Sequence, residues 1–192
     1  FCFLFFVMKC IIIGLGNFGM ALAQRLTAMG YEVIGVDKDI DKVNAYKDSI
    51  KNTICLNLNN EQAARNLPLK DADLNIVSLG KDAGASILTV AILKQNGAKR
   101  IIVRAISTLH KTVLEAMGIT EIIQLEKEYA DFFATKTELT TLIYSYQVSP
   151  DYYIYEMKLP PAFLPICFCR TTTGRYQTGK RFLAQINRYK TL

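Results

Sequence analysis

Cys10-Ile11-Ile12-Ile13-Gly14-Leu15-Gly16-Asn17-Phe18-Gly19 is the stretch that decides how the chain is read. A run of isoleucines ends in Gly14, Gly16 and Gly19, spaced G-x-G-x-x-G, and Met20, Leu22, Ala23 and Leu26 follow at helical spacing. Strand, tight turn and helix are the elements this pattern predicts. In such a turn the first glycine allows a sharp bend, the second lets the backbone approach a phosphate, and the third lets the helix pack close to the strand. Amide N–H groups at the helix start then face the anion, aided by the helix dipole. A second apolar run, Val33-Ile34-Gly35-Val36, ends in Asp37. That is the distance downstream at which a carboxylate accepts hydrogen bonds from ribose hydroxyls and repels a 2′-phosphate. A strand–helix–strand unit with empty turns would leave the coincidence of glycines and acid with strand ends unexplained.

Outward from this unit, apolar runs and helical patterns alternate. A first helix spans about Asn17 to Met29 and closes at Gly30; Asp39 caps a second, about Ile40 to Ser49. A third strand, Thr53 to Leu58, leads to a short helix ending at Leu67-Pro68. A fourth, Leu74 to Leu79, precedes a helix from Asp82 to Gln95, with Ile87, Leu88, Ala91 and Ile92 at helical spacing and a stop at Gly97. A fifth strand, Arg100 to Ala105, a helix about Leu109 to Met117 and a sixth strand, Glu121 to Leu125, complete the alternation. Strands that are nearly continuous apolar runs are buried on both faces. With right-handed crossovers they predict a Rossmann-like, doubly wound parallel sheet of the α/β class, ordered 3-2-1-4-5-6, with ligands held outside the carboxyl ends of the strands. A C-terminal crossover helix, Lys127 to Tyr144, follows. Its apolar stripe of Phe132, Phe133, Leu139, Leu142 and Ile143 either packs on its own sheet or crosses to a partner subunit.

Composition narrows the function. The 192 residues are 51% hydrophobic and 21% charged, ordinary for a globular α/β protein. The net charge of +6 resides in the tail: of 23 Lys and Arg, Arg170, Arg175, Lys180, Arg181, Arg188 and Lys190 account for it, leaving 17 positive against 17 negative charges elsewhere. The folded part therefore carries no basic signature of a nucleic-acid partner. The cysteines are odd in number, and Cys10 and Cys55 fall in apolar strands, which reads as reduced, buried thiols in a cytosolic protein. Phe1 to Val7 is apolar but is cut off by Lys9, far short of the about 20 residues of a membrane helix. Met8 reads as the natural start.

By pattern and composition, residues 1–7 are an apolar N-terminal extension, 8–126 a nucleotide-binding domain, 127–149 a crossover helix and linker, and 165–192 a basic irregular tail.

Several segments together resemble a known family. They are Ile12-Ile-Gly-Leu-Gly-Asn-Phe-Gly19, Gly35-Val-Asp37, Ser78-Leu-Gly80 with Ala85-Ser86, Ile102-Val-Arg-Ala105, His110 and Val113-Leu-Glu-Ala-Met-Gly118. The set is similar to the RCK (KTN, Trk/Ktr-type) domains that regulate bacterial potassium channels and transporters, over about Met8 to Leu164. The resemblance implies a non-enzymatic sensor of ATP/ADP or NAD(H) in the cytoplasm, peripheral to the inner face of the cell membrane. It implies homodimers assembled into a larger ring on a membrane potassium-translocating subunit. It implies that 127–149 serves dimerisation and that residues 150–164 begin a C-terminal domain. It also implies roles. Gly14, Gly16, Asn17, Phe18 and Gly19 would hold phosphates; Asp37, Lys38 and Asp39 the ribose; Asn57 and Leu58 the adenine border. Leu79, Gly80 and Lys81 would form the opposite wall. Arg104, Ala105, Ile106, His110 and Glu126 would lie at the phosphate end. ATP-responsive members often carry Arg at the position of Asn17, and many carry Asp at that of Asn57. Past Leu164 the likeness stops, as if the chain were truncated or altered there.

Without the resemblance, His110 reads as a surface residue at a helix start and Glu126 as an acid favouring the next helix N-terminus. Two competing functions share the fingerprint: an NAD-dependent oxidoreductase and an NADH redox sensor that regulates DNA. The first needs a substrate domain with an acid/base group and the second a helix-turn-helix, and neither is evident after Leu125.

Overall fold

The computed structural model describes residues 7–58, 60–138, 142–149, 152–157 and 182–187. They fall into two units, divided between Leu125 and Glu126.

In the first unit six strands alternate with five helices among the described residues: β1 (Lys9–Ile13), α1 (Asn17–Ala28), β2 (Glu32–Asp37), α2 (Ile40–Tyr46), β3 (Asn52–Cys55), α3 (Glu61–Ala64), β4 (Leu74–Val77), α4 (Ala83–Gln95), β5 (Ile101–Arg104), α5 (Thr108–Ala116) and β6 (Glu121–Ile123). The strands form one parallel sheet in the order β3-β2-β1-β4-β5-β6, as the alternation predicts. β1 is central, pairing Ile13 with Val36 on one side and Val77 on the other. The chain reverses direction across the sheet between β1 and β4, so the crevice outside their carboxyl ends is the place where this topology holds ligands.

Side-chain alternation along the strands builds two cores, one per face. Cys10 and Ile12 of β1 join Val33 and Ile76, and the layer is closed by Met20 and Ala23 of α1 and Val43 of α2. Ile11 and Ile13 join Val36, Val77 and Val103, beneath Ala64 of α3, Val90 and Leu93 of α4 and Leu114 of α5. Both faces of β1 after Lys9 and of β4 are thus buried, which explains why these strands are mostly apolar; the exception, Asn75 of β4, is buried and donates its side-chain amide to Arg100 O.

Polar side chains set the helix starts. Asp39, Asn60, Asp82 and Ser107 each accept a backbone N–H from the first turn of the helix that follows, as N-caps do. Cys10 is buried, and burial pushes its thiol pKa up. Cys55 is exposed, against expectation, because β3 is an edge strand whose ends face solvent. α2 stops at Tyr46, short of the expected Ser49, and β6 stops at Ile123, so Glu126 does not end a strand.

The second unit holds α6 (Leu125–Glu138, the first residue lying in the unit before) and an antiparallel sheet of β7 (Leu142–Ser149), β8 (Tyr152–Met157) and β9 (Phe182–Asn187), in that order. The expected helix to Tyr144 therefore ends early. Leu142, Ile143 and Tyr144 are in a strand, because β-branched and aromatic residues favour the pleated pairing with β8. Gln147 to Ser149, at the end of the segment 127–149 expected to be helix and linker, belong to β7, and Phe182–Asn187, inside the expected irregular tail, pairs with β8. In both cases long-range pairing supplies what the local pattern lacks. Leu139, Cys2, Cys167, Cys169 and the expectations for residues 1–6 lie outside the described residues.

Replacing Ile12, fully buried at the sheet centre, by Ala removes about 2–5 kcal/mol of stability in urea unfolding. Leu109→Ala, at an exposed position, costs under about 0.5 kcal/mol.

Candidate functional site

The β1–α1 turn is held from two sides. Gly14 N–H donates to Val36 O (2.7 Å), and Leu15 N–H donates to Asp37 Oδ2 (2.7 Å), tying the turn to the end of β2. From β4, the Ser78 hydroxyl lies 2.6 Å from Gly14 O and 3.0 Å from Ile13 O and donates to this pair of carbonyls. These bonds satisfy the N–H groups of Gly14 and Leu15 and the carbonyls of Ile13 and Gly14 from the flanking strand ends.

The three glycines are needed for different reasons. Gly14 has φ +95°, in the left-handed region. At Gly19 a Cβ would overlap the Gly14 carbonyl oxygen and Ser78 Oγ, so helix and strand touch through this position. Gly16 has an ordinary φ of −74°, and a Cβ there would meet nothing within 4 Å. Among the described residues nothing requires glycine at 16. The open space beside it is a cradle that a side chain would fill.

Gly16 is also the N-cap of α1, no side chain caps that helix, and no acid sits in its first turn. The first N–H groups of a helix have no intrahelical partner and carry the positive end of its dipole. A helix start of this kind, at the carboxyl end of β1, is chemically suited to an anion. Asn17 is exposed and Phe18 half-buried.

At the other end, Asp37 is only 7% exposed. Besides Leu15 N–H, it accepts Asp39 N–H on Oδ1 (2.9 Å), and Lys42 Nζ lies 3.5 Å from Oδ2. Lys38 is exposed, and Asp39 caps α2 by accepting Asp41 N–H. Asn57 is exposed. Leu58 is 5% exposed and belongs to the core on the α4 side.

The opposite wall follows β4. Leu79 is half-buried, and its Cδ2 would lie 3.0 Å from a Cβ on Gly14, so it backs the glycine turn. The Arg104 guanidinium reaches from the end of β5 to Gly80, where a Cβ would lie 2.6 Å from Nη1. Lys81 is exposed. Ala105 is buried and Ile106 exposed.

His110, expected from its position alone at the surface, is 2% exposed. Its Nδ1 accepts Ile106 N–H (3.3 Å), which assigns the ring proton to Nε2, and its own N–H donates to Ser107 Oγ. Nε2 is buried with no hydrogen-bond partner among the described residues. Burial lowers its pKa from the ordinary 6.5. The ring fastens the loop after Arg104 to α5. Glu126 belongs to the second unit and lies in the first turn of α6, the helix-start position its residue type alone suggests.

The structure thus joins Gly14, Gly19, Leu79, Gly80, Asp37, Asp39 and Arg104 through contacts around one end of the sheet. Sequence reading places Ser78 within a motif without giving it a role, and passes over Lys42. The signal for Ser78 was a hydroxyl where the β4 run meets a glycine; Lys42 gave none beyond its place one turn after Asp39.

A six-stranded doubly wound sheet with this glycine turn and this acid defines a Rossmann-type domain. The TrkA-N domain model matches residues 10–125, and the chain belongs to the TrkA-N domain family. The chain is 32% identical over 146 residues to Ktr system potassium uptake protein C of Bacillus subtilis (strain 168), covering 76% of this chain and 66% of that protein. It is 33% identical over 117 residues to Ktr system potassium uptake protein A of Vibrio alginolyticus, covering 61% of this chain and 53% of that protein. The chain therefore spans less than two thirds of these relatives. A solved structure described as the GsuK channel bound to NAD superposes with a TM-score of 0.60 at 12% identity, over 80% of this chain and 28% of the other, a likeness of fold. Among the described residues no helix is long and apolar enough to cross a membrane.

Gly16→Ser is expected to leave stability within about 0.5 kcal/mol, since serine caps helices at least as well as glycine. Gly19→Ala, meeting backbone, costs about 1–3 kcal/mol in the same unfolding assay. The unfolded chain protonates His110 near 6.5 whereas the folded chain resists, so stability falls as pH drops below that value. His110→Asn flattens this dependence between pH 7 and the acid side of the histidine range, as measured by urea midpoints.

Proposed function

We propose that this chain is a nucleotide-sensing regulatory subunit of a membrane potassium transporter, working by binding without turnover. The observation that carries the reading is Gly16: a glycine with no conformational or packing reason among the described residues, at the uncapped start of α1, beside open space. An adenine nucleotide fits the donors and acceptors around it. The α1 amides of Asn17, Phe18 and Gly19 would hold its phosphates, with Arg104 at Gly80 as the nearby cation. The Asp37 carboxylate would accept from the ribose hydroxyls, and Asn57 would border the base. The cofactor class is ATP/ADP or NAD(H).

The potassium partner rests on the two Ktr relatives, named as potassium uptake proteins. Ion conduction needs a membrane-spanning path, which that partner would supply, with this chain peripheral to the inner face of the membrane. On α6, Tyr129 and Phe133 are exposed and stack with centroids 6.3 Å apart, an apolar face suited to the dimer contact of a ring. Binding energy that differs between two ring shapes would then bias the pore.

Calorimetric titration with ATP, ADP and NADH tests this. At least one binds the wild-type chain, and Gly16→Ser weakens it by tenfold or more, about 1.4 kcal/mol. Equal affinity in the variant contradicts the site, and conversion of the nucleotide during the titration contradicts the regulatory reading in favour of an enzyme.

A further inference from the structure

An acid at the end of β2 ordinarily reads ribose hydroxyls and rejects a 2′-phosphate, whereas a basic side chain nearby accommodates one. Here both are present. Lys42 of α2 places Nζ 3.5 Å from Asp37 Oδ2 and 3.7 Å from Asp39 Oδ2. The Lys42 side chain is 44% exposed against 7% for Asp37, so the ammonium lies between the buried carboxylate and solvent. Lys38, next to Asp37, is exposed as well. The Asp37 oxygens already accept the N–H groups of Leu15 and Asp39, so part of its acceptor capacity is spent inside the fold. Asp41, the other acid of this segment, is exposed, and the ion pairs of Lys42 are with Asp37 and Asp39.

We propose that Lys42 is a specificity-determining residue that lets the ribose end accept a 2′-phosphate, so that the crevice takes NADPH-type dinucleotides as well as 2′-hydroxyl nucleotides. The proposal rests on the reading of the glycine crevice as a nucleotide site. Lys42 can exchange its contact with Asp39 for the phosphate at little cost, because partly exposed ion pairs of this kind are weak and the lysine stem is flexible. Asp39 keeps its cap on Asp41 N–H throughout. Asp37 stays screened and continues to hold Leu15.

The test is calorimetric titration of the full chain with NADH, NADPH and ADP, in the wild type, Lys42→Met and Lys42→Arg. In the wild type NADPH binds within about tenfold of NADH. Lys42→Met weakens NADPH by about tenfold, the order expected for one solvent-screened cation–phosphate contact, and changes NADH by less than about twofold. Lys42→Arg restores NADPH binding. Exclusion of NADPH from a wild type that binds NADH or ADP overturns this proposal and leaves the nucleotide site standing. Equal weakening of NADH and NADPH in Lys42→Met overturns it too, because Lys42 would then act through Asp37 alone. If the wild type binds none of the three, the nucleotide reading fails and the proposal falls with it.

Discussion

The hydrogen bond from Leu15 N–H to the buried Asp37 carboxylate is the constraint on which the site depends. It joins the glycine turn after β1 to the end of β2, the two points between which an adenine nucleotide would stretch. Hydrogen bonds to charged groups contribute about 1.5–3 kcal/mol, and a buried charge that loses its donors costs more than it gained. The same carboxylate orders Asp39, which caps α2, and α2 brings Lys42 back to the carboxylate. Turn, strand end and helix start are therefore one connected unit. A ligand that draws on Asp37 acts on a group already structuring the turn, so substitution of Asp37 changes fold and affinity together, whereas Gly16 separates them.

Ser78 performs the matching task from the other side. Its hydroxyl bridges Ile13 O and Gly14 O and packs under Gly19, which locks β1, β4 and α1 at the topological switch point. The start of α1 is thus set against two packed strands rather than against loops. Such rigidity would suit the proposed sensor role, because packed elements transmit a displacement instead of absorbing it.

Much of the first unit is legible in the sequence. Nearly continuous apolar runs mark strands buried on both faces, and glycine or a polar capping residue punctuates nearly every helix, so element order and sheet order follow from local pattern. The glycine turn and Asp37 are legible for the same reason: their chemistry demands specific residue types at fixed spacing. What escapes is whatever depends on contacts between distant segments. The burial of His110 follows from α5 packing, the exposure of Cys55 from β3 being an edge, and the core position of Leu58 from the crossover to α3. In the second unit β7 and β9 are strands through pairing with β8, which periodicity within either segment does not reveal.

The central claim, that the α1 N-terminus and the Asp37-tethered turn together receive a nucleotide, is tested most directly by amide hydrogen exchange on the full chain with and without saturating ADP. The account predicts slowed exchange concentrated at Leu15 to Gly19 and at Asp37 to Asp39, with the distant β6 and the amino ends of the strands unchanged. Protection elsewhere with these amides unaffected would contradict it.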